Sequence, residues 1–91
     1  MFATIADLPK ITYVTTSPLV RTGQNVSLDC TASSFSPVYV TWYKGNKVLT
    51  DGMSKAVLTL KTITDKDWGE FLCVAKNSAG EDKRSVILKG N

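Results

Sequence analysis

Two thiols, a turn with two carboxylates and one asparagine tripeptide are the places in this chain where covalent or acid–base chemistry could occur. Cys30 and Cys73 stand 43 positions apart and are the only cysteines. Such a pair can oxidise to a cross-link, or persist as two buried thiols in a reducing compartment. Asp65 and Asp67 come nearest to a carboxylate pair. Both lie in a polar turn where they stay solvated, a poor setting for acid–base catalysis. Asn25-Val26-Ser27 is an N-x-S acceptor sequence, which makes Asn25 a candidate for N-glycosylation.

Histidine is absent. Without it there is no Ser-His-Asp or Cys-His relay, and the usual zinc sets cannot be assembled. No glycine-rich phosphate loop and no EF-hand spacing occurs. The residues therefore imply no enzyme, no cofactor and no metal.

The elements that position the two thiols alternate like strands. Val26, Leu28 and Cys30 interleave with Asn25, Ser27 and Asp29, and Val38, Val40 and Trp42 interleave with Tyr39, Thr41 and Tyr43. A period of two is the mark of a half-buried strand. Phe71, Cys73 and Ala75 face inward on a later strand, and Val86 and Leu88 on the last. Leu58 and Leu60 alternate on the strand between, with Ile63 closing over the core. An edge-like first strand is expected from Pro9 to Val14, broken at Ser17-Pro18 and resumed at Leu19 to Arg21. Lys44-Gly45-Asn46-Lys47 reads as a two-residue hairpin, since Gly and Asn both tolerate positive φ, and Val48-Leu49 as its short return strand. Both cysteines fall on inward positions of non-adjacent strands, with Trp42 inward on a third. A disulfide there would close a loop valued at roughly 4 kcal/mol by the chain-entropy account.

Ninety-one residues with 43% hydrophobic content make one small globular domain. No apolar stretch approaches the roughly 18 residues needed to span a bilayer, so direct membrane insertion is not expected. Met1 to Asp7 has neither the basic start nor the apolar middle of a secretory signal. Residues 1–8 are expected to be an N-terminal tail or linker remnant, 9–89 the domain, and 90–91 the start of a linker. The chain reads as one module of a longer protein. Its net charge of +3 is spread out, with Lys83-Arg84 the only adjacent basic pair. That argues against a nucleic-acid reader, and leaves weak heparin or acidic-partner binding as the charge-based alternative.

In order and spacing these pieces resemble an immunoglobulin-superfamily domain. The resemblance rests on Gly23-x-x-Val26-x-Leu28-x-Cys30, Val40-x-Trp42-Tyr43-Lys44, Leu58-x-Leu60 and Asp67-x-Gly69-x-Phe71-x-Cys73-x-Ala75-x-Asn77 with Gly80. The ending Cys73-Val74-Ala75-Lys76-Asn77-Ser78-Ala79-Gly80 is similar to the I-set branch. The fold this implies is all-β: an immunoglobulin-like two-sheet antiparallel β-sandwich with Greek-key connections. It would have a Cys30–Cys73 bridge and a core of Trp42, Leu28, Leu58, Leu60 and Phe71.

Three departures stand out. Only 15 residues separate Trp42 from Leu58. The family's fourth strand (D) is therefore expected to be vestigial, with the return strand running almost directly into the next. Phe71 stands where the family usually has a tyrosine whose hydroxyl bonds the preceding turn. Pro37 is alone where many relatives carry two prolines.

Catalysis being absent, binding is expected at the surface. Outward positions Tyr39, Thr41, Tyr43, Leu72, Val74, Lys76, Ser85 and Ile87 share one sheet face. Tyrosines and aliphatics suit a protein interface, although sheets also display such residues for strand pairing alone. Trp68 and Phe35 are secondary candidates. Trp68 either seats against a neighbouring domain or lies over a lysine stem or the first strand; Phe35 either touches a partner or lids the core. Asp67 is expected to bond its own turn or to pair with Lys55 or Arg21. The resemblance then implies a protein-binding module of an extracellular adhesion molecule or receptor, homophilic or heterophilic, alongside neighbouring domains of the same chain. The alternative is an intracellular cytoskeletal module of the muscle type, in the cytoplasm, acting as scaffold or force-bearing spacer.

Overall fold

A computed structural model describes residues 7–16 and 18–90. Ser17 and residues 1–6 and 91 lie outside them, and with them most of the expected tail and part of the expected break. Among the described residues eight strands are formed: β1 (Lys10–Val14), β2 (Leu19–Val20), β3 (Val26–Ser33), β4 (Tyr39–Lys44), β5 (Lys47–Met53), β6 (Lys55–Leu60), β7 (Gly69–Asn77) and β8 (Gly80–Gly90). They make a three-stranded sheet, β1-β3-β6, and a five-stranded sheet, β2-β8-β7-β4-β5. The expected antiparallel sandwich has one departure: β2 pairs with β8 in parallel. The start of the chain is divided between the two sheets, β1 edging one and β2 the other.

The alternation of apolar residues puts one face of each sheet inside. Leu28, Cys30 and Ala32 of β3 and Ala56 and Leu58 of β6 face Val40 and Trp42 of β4, Phe71, Cys73 and Ala75 of β7, and Val86 and Leu88 of β8; all are buried. Val38 and Ile63 close the two ends. Leu60 is only partly buried, at the rim where β6 ends opposite Val26, so its expected place in the core is corrected to the core edge. Cys30 and Cys73 are joined across the sheets, with Cα atoms 6.6 Å apart. Trp42 neighbours Cys73 in register, and its indole N–H donates to the Ala56 carbonyl at 3.0 Å. Ala56 is itself the register partner of Cys30. A sulfur bridge and an indole hydrogen bond therefore tie the same two pairs of strands, and the tryptophan's one polar atom is satisfied in the apolar interior.

The segment between Trp42 and Leu58 differs from the expected short return strand. β5 runs seven residues, to Met53. It carries a bulge, since Trp42 faces Thr50 while Tyr43 faces Val48, leaving Leu49 over. In the hairpin only Gly45 has positive φ, at 61°, and Asn46 does not. That is the glycine-first pattern of a type II′ turn rather than the doubly left-handed one. No separate strand stands between β5 and β6. The chain changes sheet at Ser54 (φ 63°), whose N–H donates to Val38 O at 2.9 Å and whose carbonyl accepts from Ala32 N at 2.8 Å. Gly52 makes the corner feasible: a Cβ there would overlap the Lys55 carbonyl oxygen.

Both ends of the fold reach past the expected boundaries. The Asp7 carbonyl accepts from the Ser34 hydroxyl at 2.7 Å and from Asn77 Nδ2 at 2.6 Å, and β8 includes Gly90. Asp67 bonds within its own turn, its carboxylate accepting the Thr64 N–H at 2.7 Å. Lys55 instead meets Asp29, at 3.5 Å. Asp82 of β8 reaches the other sheet, accepting the Ile11 N–H at 2.8 Å, and also accepts from Arg84 at 2.8 Å and from the Lys83 N–H at 3.0 Å. Burial alone raises the Asp82 carboxyl; the donors from Ile11, Arg84 and Lys83 together outweigh it and hold the group below the ordinary aspartate value.

Candidate protein-binding face

The inward set of the five-stranded sheet dictates its outward set. With Val40 and Trp42 inside, Tyr39, Thr41 and Tyr43 face out; with Cys73 and Ala75 inside, so do Leu72, Val74 and Lys76. Register brings them side by side: Tyr39 opposite Lys76, Thr41 opposite Val74, Tyr43 opposite Leu72. On the far side of β7, Leu72 meets Ser85, Val74 meets Lys83 and Lys76 meets Glu81.

All of these but Ser85 line a shallow groove of about 410 Å³. Tyr39, at 59% exposure, stands at one end, and Tyr43, Leu72 and Val74 are half-buried along the floor. Lys83 and Glu81 form an ion pair at 3.2 Å on the rim. Gly45, Asn46, Glu81 and Lys83 also line the groove and were not assigned to this face from the sequence. For the two β8 residues a signal existed, because 81 and 83 share the parity of the outward Ser85 and Ile87. Ser85 and Ile87 lie on this face by register, yet neither lines the groove; Ile87 pairs with Glu70, toward the end of β8. Met53 opposite Tyr39 joins the face as well, at 50% exposure, because β5 is longer than expected.

The secondary candidates lie elsewhere. Trp68 is partly buried against the core. Its ring lies on Gly90, so close that a Cβ there would stand 2.9 Å from Cζ2. The end of β8 supports the ring, a contact the sequence reading did not name. Phe35 does not lid the core; it is 83% exposed on the β3–β4 loop. Asn25 is exposed, with its Oδ1 accepting the Thr62 N–H at 2.9 Å.

Among the described residues, no group of three or more His, Cys, Asp or Glu side chains is placed to hold a metal ion, and no helix is long and apolar enough to cross a membrane. The surface can offer area, shape and a few charges.

Comparison with known proteins identifies the family of the fold. A family model described as "Immunoglobulin domain" matches residues 9–77. Neural cell adhesion molecule 1 of Mus musculus is 32% identical over 94 residues, covering 89% of this chain and 8% of that protein. Myelin-associated glycoprotein of Mus musculus is 35% identical over 81 residues, covering 88% of this chain and 13% of that protein. Among solved structures, the twitchin kinase region from C. elegans matches with a TM-score of 0.80 at 26% identity, over 91% of this chain and 16% of that one. The chain thus spans about a tenth of the length of these two adhesion and myelin relatives.

Proposed function

The chain belongs to the immunoglobulin-domain family, and from that premise we propose that it is a non-catalytic protein-binding module of an extracellular adhesion molecule or receptor. The docking element is the outer face of the five-stranded sheet. The observation that carries this reading is the groove in which Tyr39, Tyr43, Leu72 and Val74 share one concave surface. Tyrosine offers a large contact area at a small entropic cost, and its hydroxyl serves the wet rim. The partner is a second copy of the chain or a different protein, and neighbouring domains pack at the ends of the sandwich. Support for the extracellular setting comes from the Cys30–Cys73 bridge, a bond that persists in oxidising compartments. A relative named as a cell adhesion molecule adds to it.

The test compares Leu72→Lys, inside the groove, with Ile87→Lys, outside it. Both variants are measured for self-association by sedimentation and for attachment of chain-coated beads to cells. Leu72→Lys is expected to stay folded and lose attachment, and Ile87→Lys to lose less. Folded variants that both bind as the native chain does would retire this face.

The twitchin likeness favours a second reading, an intracellular cytoskeletal module that acts as scaffold or force-bearing spacer. It requires reduced thiols. Intact mass separates the two readings, since a bridge lowers it by about 2 Da. Weak heparin binding is the lesser, charge-based reading. It draws on the net charge of +3, but Lys55, Lys83 and Arg84 already face Asp29, Glu81 and Asp82.

A further inference from the structure

We propose that Asn25 carries an N-linked oligosaccharide that projects over the outer face of the three-stranded sheet and leaves the five-stranded face bare for docking. The inference rests on the extracellular reading above. Asn25 opens an Asn-Val-Ser acceptor sequence at the entry to β3. Both of its polar residues, Asn25 and Ser27, are exposed. The amide is already oriented: Oδ1 is held by the Thr62 N–H at 2.9 Å, and Nδ2 has no protein partner among the described residues. Replacing one Nδ2 hydrogen by a sugar keeps that bond, so the modified side chain fits the fold as it stands.

The two outer faces differ in the way this requires. Beside Asn25 the three-stranded sheet presents Ser27 and Thr59, whose hydroxyls lie 3.4 Å apart, and Thr31. Farther along the same face come the Asp29–Lys55 ion pair and exposed Val57 opposite Asp29; beside Asn25 itself the surface is hydroxylated and suits a hydrated sugar. The opposite sheet shows tyrosine and aliphatic side chains around its groove, a surface that a sugar would hide. In the transfer, Nδ2 bonds to the anomeric carbon of an oligosaccharide carried on a lipid diphosphate. The anomeric C–O bond breaks, the lipid diphosphate leaves with the electron pair, and the amide nitrogen loses one proton to a base of the transferring enzyme.

The test is the full chain secreted from eukaryotic cells, as native, Asn25→Gln, Ser27→Ala and Ser27→Thr forms. Intact mass is read before and after peptide N-glycosidase, with a peptide map across residue 25. The native chain is expected to carry glycan that the enzyme removes, leaving Asp at position 25. Asn25→Gln and Ser27→Ala should lack the glycan, and Ser27→Thr should keep it. Acylation of Lys61, beside Thr62, should be slower by about twofold in the glycosylated form, while Lys76 in the groove reacts equally. Secreted, bridged chain with unmodified Asn25 overturns the inference and leaves the extracellular reading intact. Equal Lys61 rates overturn the stated direction of the glycan. Chain that is retained in cells with free thiols sinks the extracellular reading and the inference together.

Discussion

Lys44 holds its ammonium 4.2 Å from the centroid of the Phe71 ring. The same nitrogen donates to Trp68 O at 2.8 Å and reaches Asp67 O at 3.4 Å. The turn before β7 thus receives from a lysine on β4 the kind of bond that a tyrosine hydroxyl at position 71 would supply in relatives.

Removing the ammonium should therefore cost more than an ordinary surface change. Lys44→Met is expected to lower stability by about 1–2 kcal/mol, from a charge-assisted hydrogen bond and a cation–π contact. Phe71→Tyr should raise the melting midpoint modestly in the native chain, and by more in the Lys44→Met background. A double-mutant cycle in urea measures the coupling; strict additivity would show that the two groups do not serve the same turn.

Gly52 and Gly45 should fail for different reasons. At Gly52 the obstacle is space, because an added methyl meets the Lys55 carbonyl. Gly52→Ala is expected to cost about 1–3 kcal/mol and to disturb the β5–β6 corner. At Gly45 nothing lies within 4 Å, and the obstacle is the φ of 61°. Gly45→Ala should cost about 1–2 kcal/mol. Gly45→Asn should recover part of this, since asparagine tolerates that region, whereas Gly52→Asn should not; denaturant midpoints decide.

Acid should loosen the contact between the sheets. Asp82 titrates below the ordinary value of 3.8 in the folded chain, so the unfolded chain takes up its proton first as pH falls. Its stabilisation is complete above the ordinary value and is lost as pH drops from there through the lowered one. Urea midpoints between pH 6 and pH 2 should fall across that window. The Asp82→Asn chain should start lower and fall less.

Phe35 and Trp68 look alike in the sequence and should behave differently. Phe35→Ser is expected to change stability by less than about 0.5 kcal/mol, being a surface substitution. Trp68→Ala should cost about 2–3 kcal/mol, because a partly buried ring is removed from the core edge and from Gly90. Thermal unfolding of both variants checks the contrast.

The joining of Cys30 to Cys73 was implied by the family resemblance; most strands and their inward residues were readable along the chain. Each follows from a period-two pattern, which is local and repeats over several residues. The same parity placed Tyr39, Tyr43, Leu72 and Val74 on one outer face. Parity could not say that Ile87 stands outside the groove, because a groove depends on sheet curvature and side-chain length. The extent of β5 was also hidden: Lys47 to Met53 has no clean alternation, as an edge strand with a bulge satisfies only one neighbour.

What the sequence alone determined is which residues of each strand turn inward, Cys30, Trp42 and Cys73 among them, because inward and outward faces are written two residues at a time. What only the tertiary structure decided are the contacts between distant residues: Asp82 on the Ile11 N–H, 71 positions away, and Lys44 under the turn at Trp68. Those depend on how strands and turns far apart in the chain are brought together, and no local pattern records that distance.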